Sequence, residues 1–157
     1  MIHNPPLPAV FEAFFADLLE QKASGAGGRF HQCFGCGPNH QIGLRVRCFL
    51  AAGEVLAPII IAPEFAGPPG AAHGGIVAAC LDEVLAGAAV RHDSRIYVTG
   101  ELSVRYVKPT PVERPLLGRA RETKDAGKYL DLEGTLEEFE TRAIVARATG
   151  RFFPVAD

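Results

Sequence analysis

The feature that most constrains this chain is a run of fifteen residues, 76–90, with no proline and apolar side chains on almost every side. Val77, Leu81, Val84, Leu85 and Ala88 recur at three- and four-residue spacing, which predicts a helix, while Cys80, Gly87 and several alanines fill its other faces. A helix that is apolar all round has to be wrapped by protein or by lipid. Fifteen residues that include Asp82 and Glu83 are too few and too charged to cross a bilayer. The run therefore predicts a buried central helix around which the rest of the chain is organised.

Proline and glycine dominate the stretch before it, Gly67-Pro68-Pro69-Gly70 and then His73-Gly74-Gly75. Gly74 and Gly75 bring backbone N–H groups to the helix N-terminus, where such donors lack intrahelical partners and the macrodipole is positive, so an oxyanion or a polarised carbonyl fits there. Asp82 is a carboxylate on an otherwise apolar surface, and a buried charge is costly unless it has a partner, a task or an opening to solvent. Eight residues of helix separate Gly74 from Asp82, a rise of about 12 Å, too far for one helix to bring both groups to one carbonyl. A second copy of the chain running the other way solves this, which predicts a site shared by two subunits.

The flanking sequence supplies the wrapping. Residues 8–22 carry an apolar stripe of Val10, Phe11, Phe14, Phe15, Leu18 and Leu19 and predict a first helix, followed by a flexible Ser24-Gly25-Ala26-Gly27-Gly28 break. Cys33-Phe34-Gly35-Cys36-Gly37-Pro38-Asn39 reads as a tight loop. Strands are expected over 44–50 and 55–61. Beyond the central helix, apolar Ile96, Val98, Leu102, Val104 and Tyr106 alternate with Thr99, Glu101, Ser103 and Arg105, and Pro109 ends the run. Three further alternating runs, with turns near Ala126 and Phe139, predict long antiparallel strands. Symmetry about those turns puts Arg121 opposite Asp131, Arg119 opposite Glu133 and Arg147 beside Asp131, a salt-bridged outer face. The sum is an α+β fold: a curved antiparallel sheet wrapped around one long helix, with an extra N-terminal helix.

The stretches Gly67-Pro68-Pro69-Gly70, His73-Gly74-Gly75 with Asp82 nine residues after the histidine, and the run from Val98 through Arg105 to Pro109 together resemble the hotdog-fold acyl-CoA thioesterases, in their PaaI-like branch. Cys33-x-x-Cys36-Gly37-Pro38-Asn39 followed by Ile42-Gly43-Leu44 is similar to the lead-in common there. The resemblance covers roughly residues 30–153, so residues 1–28 are expected to be an N-terminal helix and flexible lead-in and 29–157 a single hotdog domain. It implies that Asp82 acts as general base or nucleophile on a thioester, that the Gly74 amide polarises the carbonyl beside Gly75, and that the Thr99 hydroxyl supports the water or the acid. His73 belongs to the motif as the residue that shapes the helix start. The resemblance further implies an acyl-CoA substrate, no cofactor, and a homodimer, with pairing of dimers into a homotetramer left open. Members of the family often carry Gln or Asn six or seven residues before the histidine to hold the attacking water, and here those positions are Ala66 and Gly67. A non-catalytic acyl-CoA or acyl-ligand binding module is therefore the alternative.

Arg105 and Lys108 are candidates for the phosphates of coenzyme A and Gly67 for the loop beside it, against the plainer reading of a solvated strand edge. The Cys33–Cys36 pair, lacking a second pair at zinc spacing, reads as a structural turn rather than half a metal site with His31, His40 or Cys48, so no metal is expected. Cys48 and Cys80 read as small apolar core residues. A formal charge of −2 leaves no basic excess for a nucleic-acid backbone. The N-terminus lacks the charged and apolar segments of a secretory signal, which with four unpaired-looking cysteines points to the cytoplasm.

Overall fold

The computed structural model describes residues 5–21 and 30–156; the expected break at 24–28 lies outside the described residues. Seven strands form one antiparallel sheet in the order β1-β2-β3-β5-β6-β7-β4, with β1 Leu19–Glu20, β2 Phe49–Ala51, β3 Glu54–Ile60, β4 Tyr97–Tyr106, β5 Pro115–Asp125, β6 Leu130–Glu138 and β7 Ile144–Pro154. The central helix, α2, runs from Gly74 to Asp93, longer at both ends than the apolar run alone suggests. Val77, Leu81, Val84, Leu85 and Ala88 are buried, and the helix touches β3, β5, β6, β7 and β4 in turn. This is the curved sheet around a long helix that an all-round apolar helix requires. Where β2 begins, Cys48 lies so close to α2 that a methyl group at Gly87 would sit 2.5 Å from its Sγ. Among the described residues no helix is long and apolar enough to cross a membrane.

The N-terminal helix, α1, spans only Ala9–Phe15 rather than 8–22. Its apolar stripe continues past Phe15, but Glu20 receives both ends of the Arg47 guanidinium at 2.8 Å, and that pairing draws the chain out as β1 along the sheet edge. Phe11 and Phe15 pack with Phe49, Leu56 and Leu117, on the sheet face opposite α2. The helix therefore covers the outside of the sheet and does not reach the Gly74 or Asp82 region.

Three expectations about strands need correction. Residues 44–48 are not paired with β3, because Arg45 takes a left-handed φ of 51° and the amides of Leu44 and Val46 bond the Phe34 and Gly35 carbonyls of the cysteine loop instead. The hairpin registers differ from the symmetric ones: Arg121 lies opposite Glu133, and Asp131 opposite Arg151, since the turns are closed by Ala126 with Tyr129 and by Glu138 with Ala143 and so centre one to two residues beyond Ala126 and Phe139, with bulges near Glu122–Lys124 and Leu136–Glu137 each shifting the ladder by one step. Salt bridges do line the outer face, but as Arg121–Glu133, Arg151–Asp131 and Arg119 with Glu54 and Glu137. The third concerns β4. Gly100 is an unpaired extra residue between Thr99 and Glu101, so the inward face changes from odd to even numbers along the strand. Tyr97 and Thr99 share the helix face before the bulge, Leu102, Val104 and Tyr106 after it, and Val98 turns outward, 53 % exposed.

Candidate functional site

The entry to α2 is built by the proline-glycine loop. Gly67 donates to the Ala71 carbonyl at 2.9 Å, and a methyl group on it would come within 3.0 Å of the His73 Cα, so glycine is needed for the loop to close against the helix start. His73 has the extended φ and ψ of an N-cap, −59° and 138°, and its Nδ1 accepts the Gly75 N–H at 3.0 Å. That corrects the expectation of two open donors. Gly75 is already satisfied, whereas the Gly74 N–H meets no acceptor among the described residues. The Gly74 carbonyl accepts the Tyr106 hydroxyl at 2.7 Å, and the Tyr106 ring lies over the Gly74 Cα. Tyr106, which alternation marks only as an apolar strand residue, thus fixes the first turn of the helix.

Two turns further along α2, Asp82 accepts the Thr99 hydroxyl at 2.7 Å through Oδ1. The pair lies at the rim of the sheet, where Thr99 is exposed and Asp82 half-buried. The bulge at Gly100 makes the contact, since unbroken alternation would turn Thr99 to the outer face. Within one chain the Gly74 amide and the Asp82 carboxylate stay apart, as the helix rise demands. Both lie along β4, whose partner on one side is β7 and whose other edge pairs with no strand among the described residues.

The remaining candidates are elsewhere. Arg105 projects to the outer sheet face opposite Arg147, into a cavity of about 360 Å³ also lined by Glu54, Arg119, Arg121 and Glu133, so the fold does not bring it beside Asp82 or Gly74. Lys108 pairs with Glu138 at 3.0 Å, which, after the Thr141 hydroxyl, helps hold that carboxylate below its ordinary pKa. Both lie on the far side of β4 from the Asp82–Thr99 contact or past its end, as the outward half of a pleated strand must.

Glu83, next to Asp82 but turned about 100° around the helix, faces the cysteine loop. Burial pushes its carboxyl up to about 7, and the Asp82 charge adds to the rise while a bond from the Cys36 thiol opposes it. Burial, joined by the Glu83 charge, likewise holds the Cys36 thiol far above its usual range. Cys48 and Cys80 are pushed to about 12 chiefly by burial, as inert core thiols are.

Comparison with known proteins adds a family. A family model described as the thioesterase superfamily matches residues 69–149. No curated protein matches. The solved thioesterase superfamily protein RHA08564 is 27 % identical with a TM-score of 0.70, the match covering 78 % of this chain but only 60 % of that one. The BH2602 protein from Bacillus halodurans, solved with CoA, is 30 % identical over 63 % of this chain and 70 % of that one, at a TM-score of 0.57. The PaaI protein from the phenylacetic acid degradation operon of E. coli shares the fold at a TM-score of 0.64 and 13 % identity, over 72 % of this chain and 81 % of that one.

Proposed function

Because the chain belongs to the thioesterase superfamily, we propose that it hydrolyses the thioester of an acyl-CoA, with Asp82 as general base or nucleophile and the Gly74 N–H as oxyanion donor, in a site shared by two copies of the chain. The observation that carries this reading is the placement of both groups along one strand edge that pairs with no strand among the described residues. Thr99, bonded to Asp82, and Tyr106, bonded to Gly74, both face the helix from β4, and with Gly100 outside the ladder Ser103 lies midway between them. An edge strand ten residues long invites pairing with another strand. Antiparallel pairing of β4 with a second copy about Ser103, with Gly100 again left out of the ladder, sets Tyr106 of one chain across from Thr99 of the other. That brings the Gly74 end of one helix toward the Asp82 of its mate. Neither chain can assemble this arrangement alone.

In the base form of the mechanism Asp82 takes a proton from water as the water oxygen adds to the thioester carbon. The Gly74 N–H of the other copy receives the developing oxyanion. Collapse of the tetrahedral intermediate breaks the carbon–sulfur bond, the sulfur leaves as the CoA thiolate, which is then protonated, and the carboxylic acid is released. A thiolate is a good leaving group, so one carboxylate and one oxyanion donor suffice without a Ser-His-Asp triad. Thr99 orients Asp82 by occupying one of its oxygens. His73 and Tyr106 act on the frame: they hold the Gly75 amide and the Gly74 carbonyl, leaving the Gly74 N–H to point outward. The solution of BH2602 with CoA supports an acyl-CoA as ligand.

A thiol reagent with a panel of acyl-CoAs tests the reading directly. Wild type is expected to turn over at least one of them and Asp82→Ala to lose that activity, and equal turnover in both would refute the role of Asp82. One observation favours the alternative of an acyl-CoA binding module. Ala66, which pairs with Ala72 across the loop, and Gly67 offer no side chain to hold an attacking water. Thermal stabilisation by acyl-CoA with no release of thiol would identify that case.

A further inference from the structure

Glu83 is not used by the chemistry above, and neither is the cysteine loop it faces. The loop turns back on itself at Gly37, whose amide bonds the Cys33 carbonyl at 2.8 Å and where a methyl group would meet the Cys33 backbone at 2.5 Å. This folds the two thiols of Cys33-x-x-Cys36 onto one side. A methyl group at Gly35 would overlap the Glu83 carboxylate, so the loop is shaped around that side chain. The Cys33 and Cys36 sulfurs and a Glu83 oxygen all lie within 4.8 Å of one another. Three acidic groups thus converge, each partly buried, and among the described residues none of the interactions acting on Glu83 comes from a cation. Burying such a cluster is costly unless a positive charge enters it.

Tetrahedral bonds of about 2.3 Å to sulfur and 2.0–2.2 Å to oxygen put neighbouring donors roughly 3.5–3.8 Å apart, about 1 Å closer than the upper limit seen here. Rotation of the Cys and Glu side chains covers that difference. We propose that Cys33, Cys36 and Glu83 bind a divalent cation of the zinc class as two thiolates and a carboxylate, with a water at the fourth position and the thiol protons released to solvent. Its task is to fasten the 30–43 loop to the middle of α2. Among the described residues, that segment is otherwise tied down by backbone bonds to Leu44 and Val46, by the Arg45 guanidinium on the His40 carbonyl and by the ring contact of Phe34 with Phe65. The ion sits on the side of the helix turned from Thr99, so it braces the helix and does not touch the thioester. Sequence spacing alone misses the site because its third ligand is fifty residues away, on the central helix.

The test loads reduced, purified protein with zinc or cobalt(II), removes the excess by gel filtration, and reads metal per chain, the cobalt–thiolate charge-transfer absorption and the melting temperature. Wild type is expected to keep about one metal per chain, to show the thiolate band and to melt several degrees higher with metal than without. Cys33→Ser and Cys36→Ser lose the metal and the band, and Glu83→Gln, which keeps both thiols, binds roughly tenfold more weakly or worse. Asp82→Ala and His92→Ala retain the metal, the latter because the exposed His92, Glu122 and Asp125 group is a separate cluster. Wild-type protein that retains no metal, a cobalt spectrum without the thiolate band, or a signal abolished by His92→Ala overturns the proposal. The wild-type cobalt spectrum decides the question even if a cysteine variant fails to fold. Metal retention by an Asp82→Ala chain without activity separates this site from the hydrolytic one.

Discussion

Replacing Gly74 by proline isolates the oxyanion donor from everything else at the helix start. Gly74 is the first residue of α2, the one helical position where proline fits without loss, because its N–H has no intrahelical partner. The residue before a proline must be extended, and His73 already has φ −59° and ψ 138°. The new Cβ would meet the Tyr106 hydroxyl at 3.5 Å and its ring at 3.6 Å, ordinary contacts. The bond from Tyr106 to the Gly74 carbonyl and the cap from His73 to Gly75 both remain. The folded protein should therefore keep its stability or gain about 0.4–1 kcal/mol from a stiffer unfolded chain, while the Gly74 N–H is gone. Loss of one oxyanion donor costs about 10²–10³ in kcat, or roughly 2.7–4 kcal/mol. Gly74→Ala is the control, since it keeps the N–H. Steady-state hydrolysis of the best acyl-CoA, with melting temperatures alongside, should show the proline variant at least a hundredfold slower than the alanine variant at equal stability. Equal rates in the two would show that this amide does not hold the oxyanion.

The other predictions rest on neighbouring contacts. Tyr106→Phe removes a neutral hydrogen bond to the Gly74 carbonyl, worth about 0.5–1.5 kcal/mol, and should lower kcat about two- to tenfold with KM nearly unchanged; a larger change in KM would move Tyr106 from framing to substrate contact. Gly87→Ala places a methyl group 2.5 Å from the Cys48 sulfur, so overpacking of about 1–3 kcal/mol should outweigh the helix propensity gained. The double variant with Cys48→Ala should recover most of that loss in urea titrations, and simple additivity of the two would refute the contact. In metal-stripped protein the Glu83 carboxyl titrates near 7 instead of 4.5, so the folded chain keeps a proton that the unfolded chain gives up. Its stability then falls as pH rises through that window, by at most about 1.4 kcal/mol per pH unit, and urea midpoints between about pH 5 and pH 8 should fall more steeply in wild type than in Glu83→Gln.

The sequence carried the architecture because it rests on a composition that leaves little choice. An apolar, proline-free run with Val77, Leu81, Val84 and Leu85 on one side and alanines on the others has to be enclosed, and the alternating runs after it provide the enclosure. The N-terminal helix was harder, since Leu18 and Leu19 keep the helical period while the Arg47–Glu20 pair, twenty-seven residues apart, pulls the chain into the sheet. Long-range pairing overrides local period whenever it is the stronger contact. Hairpin registers were misplaced for a related reason: the turns close between Ala126 and Tyr129 and between Glu138 and Ala143, contacts that local residue types do not fix to the residue, and each ladder also contains one bulge. At the site, Asp82 and Gly74 could be named from the residues and their spacing and His73 and Thr99 from the family resemblance, whereas the contacts of Tyr106 and Glu83 could not. Their signal is a contact across the fold, to the Gly74 carbonyl and to the cysteine loop, and neither leaves a local pattern.

The same bulge that misled the reading of β4 is what allows the strand to serve the helix at two points. Thr99 and Tyr106 are seven residues apart, and in an unbroken strand an odd separation puts them on opposite faces. One of them would then face outward, away from α2. Gly100 removes one step from the ladder, so Thr99 stands opposite Phe152 and Tyr106 opposite Ala146, both core residues of β7 on the helix side. A glycine suits the position because a methyl group there would collide with the Phe153 ring. The bulged residue also lies on the edge that pairs with no described strand, where an interruption of the pleat disturbs one neighbour instead of two. In this way a single residue without a side chain sets the carboxylate by Thr99 and the helix start by Tyr106 along one open edge. Which groups a second chain meets on that edge is therefore decided by Gly100 as much as by the acid and the amide themselves.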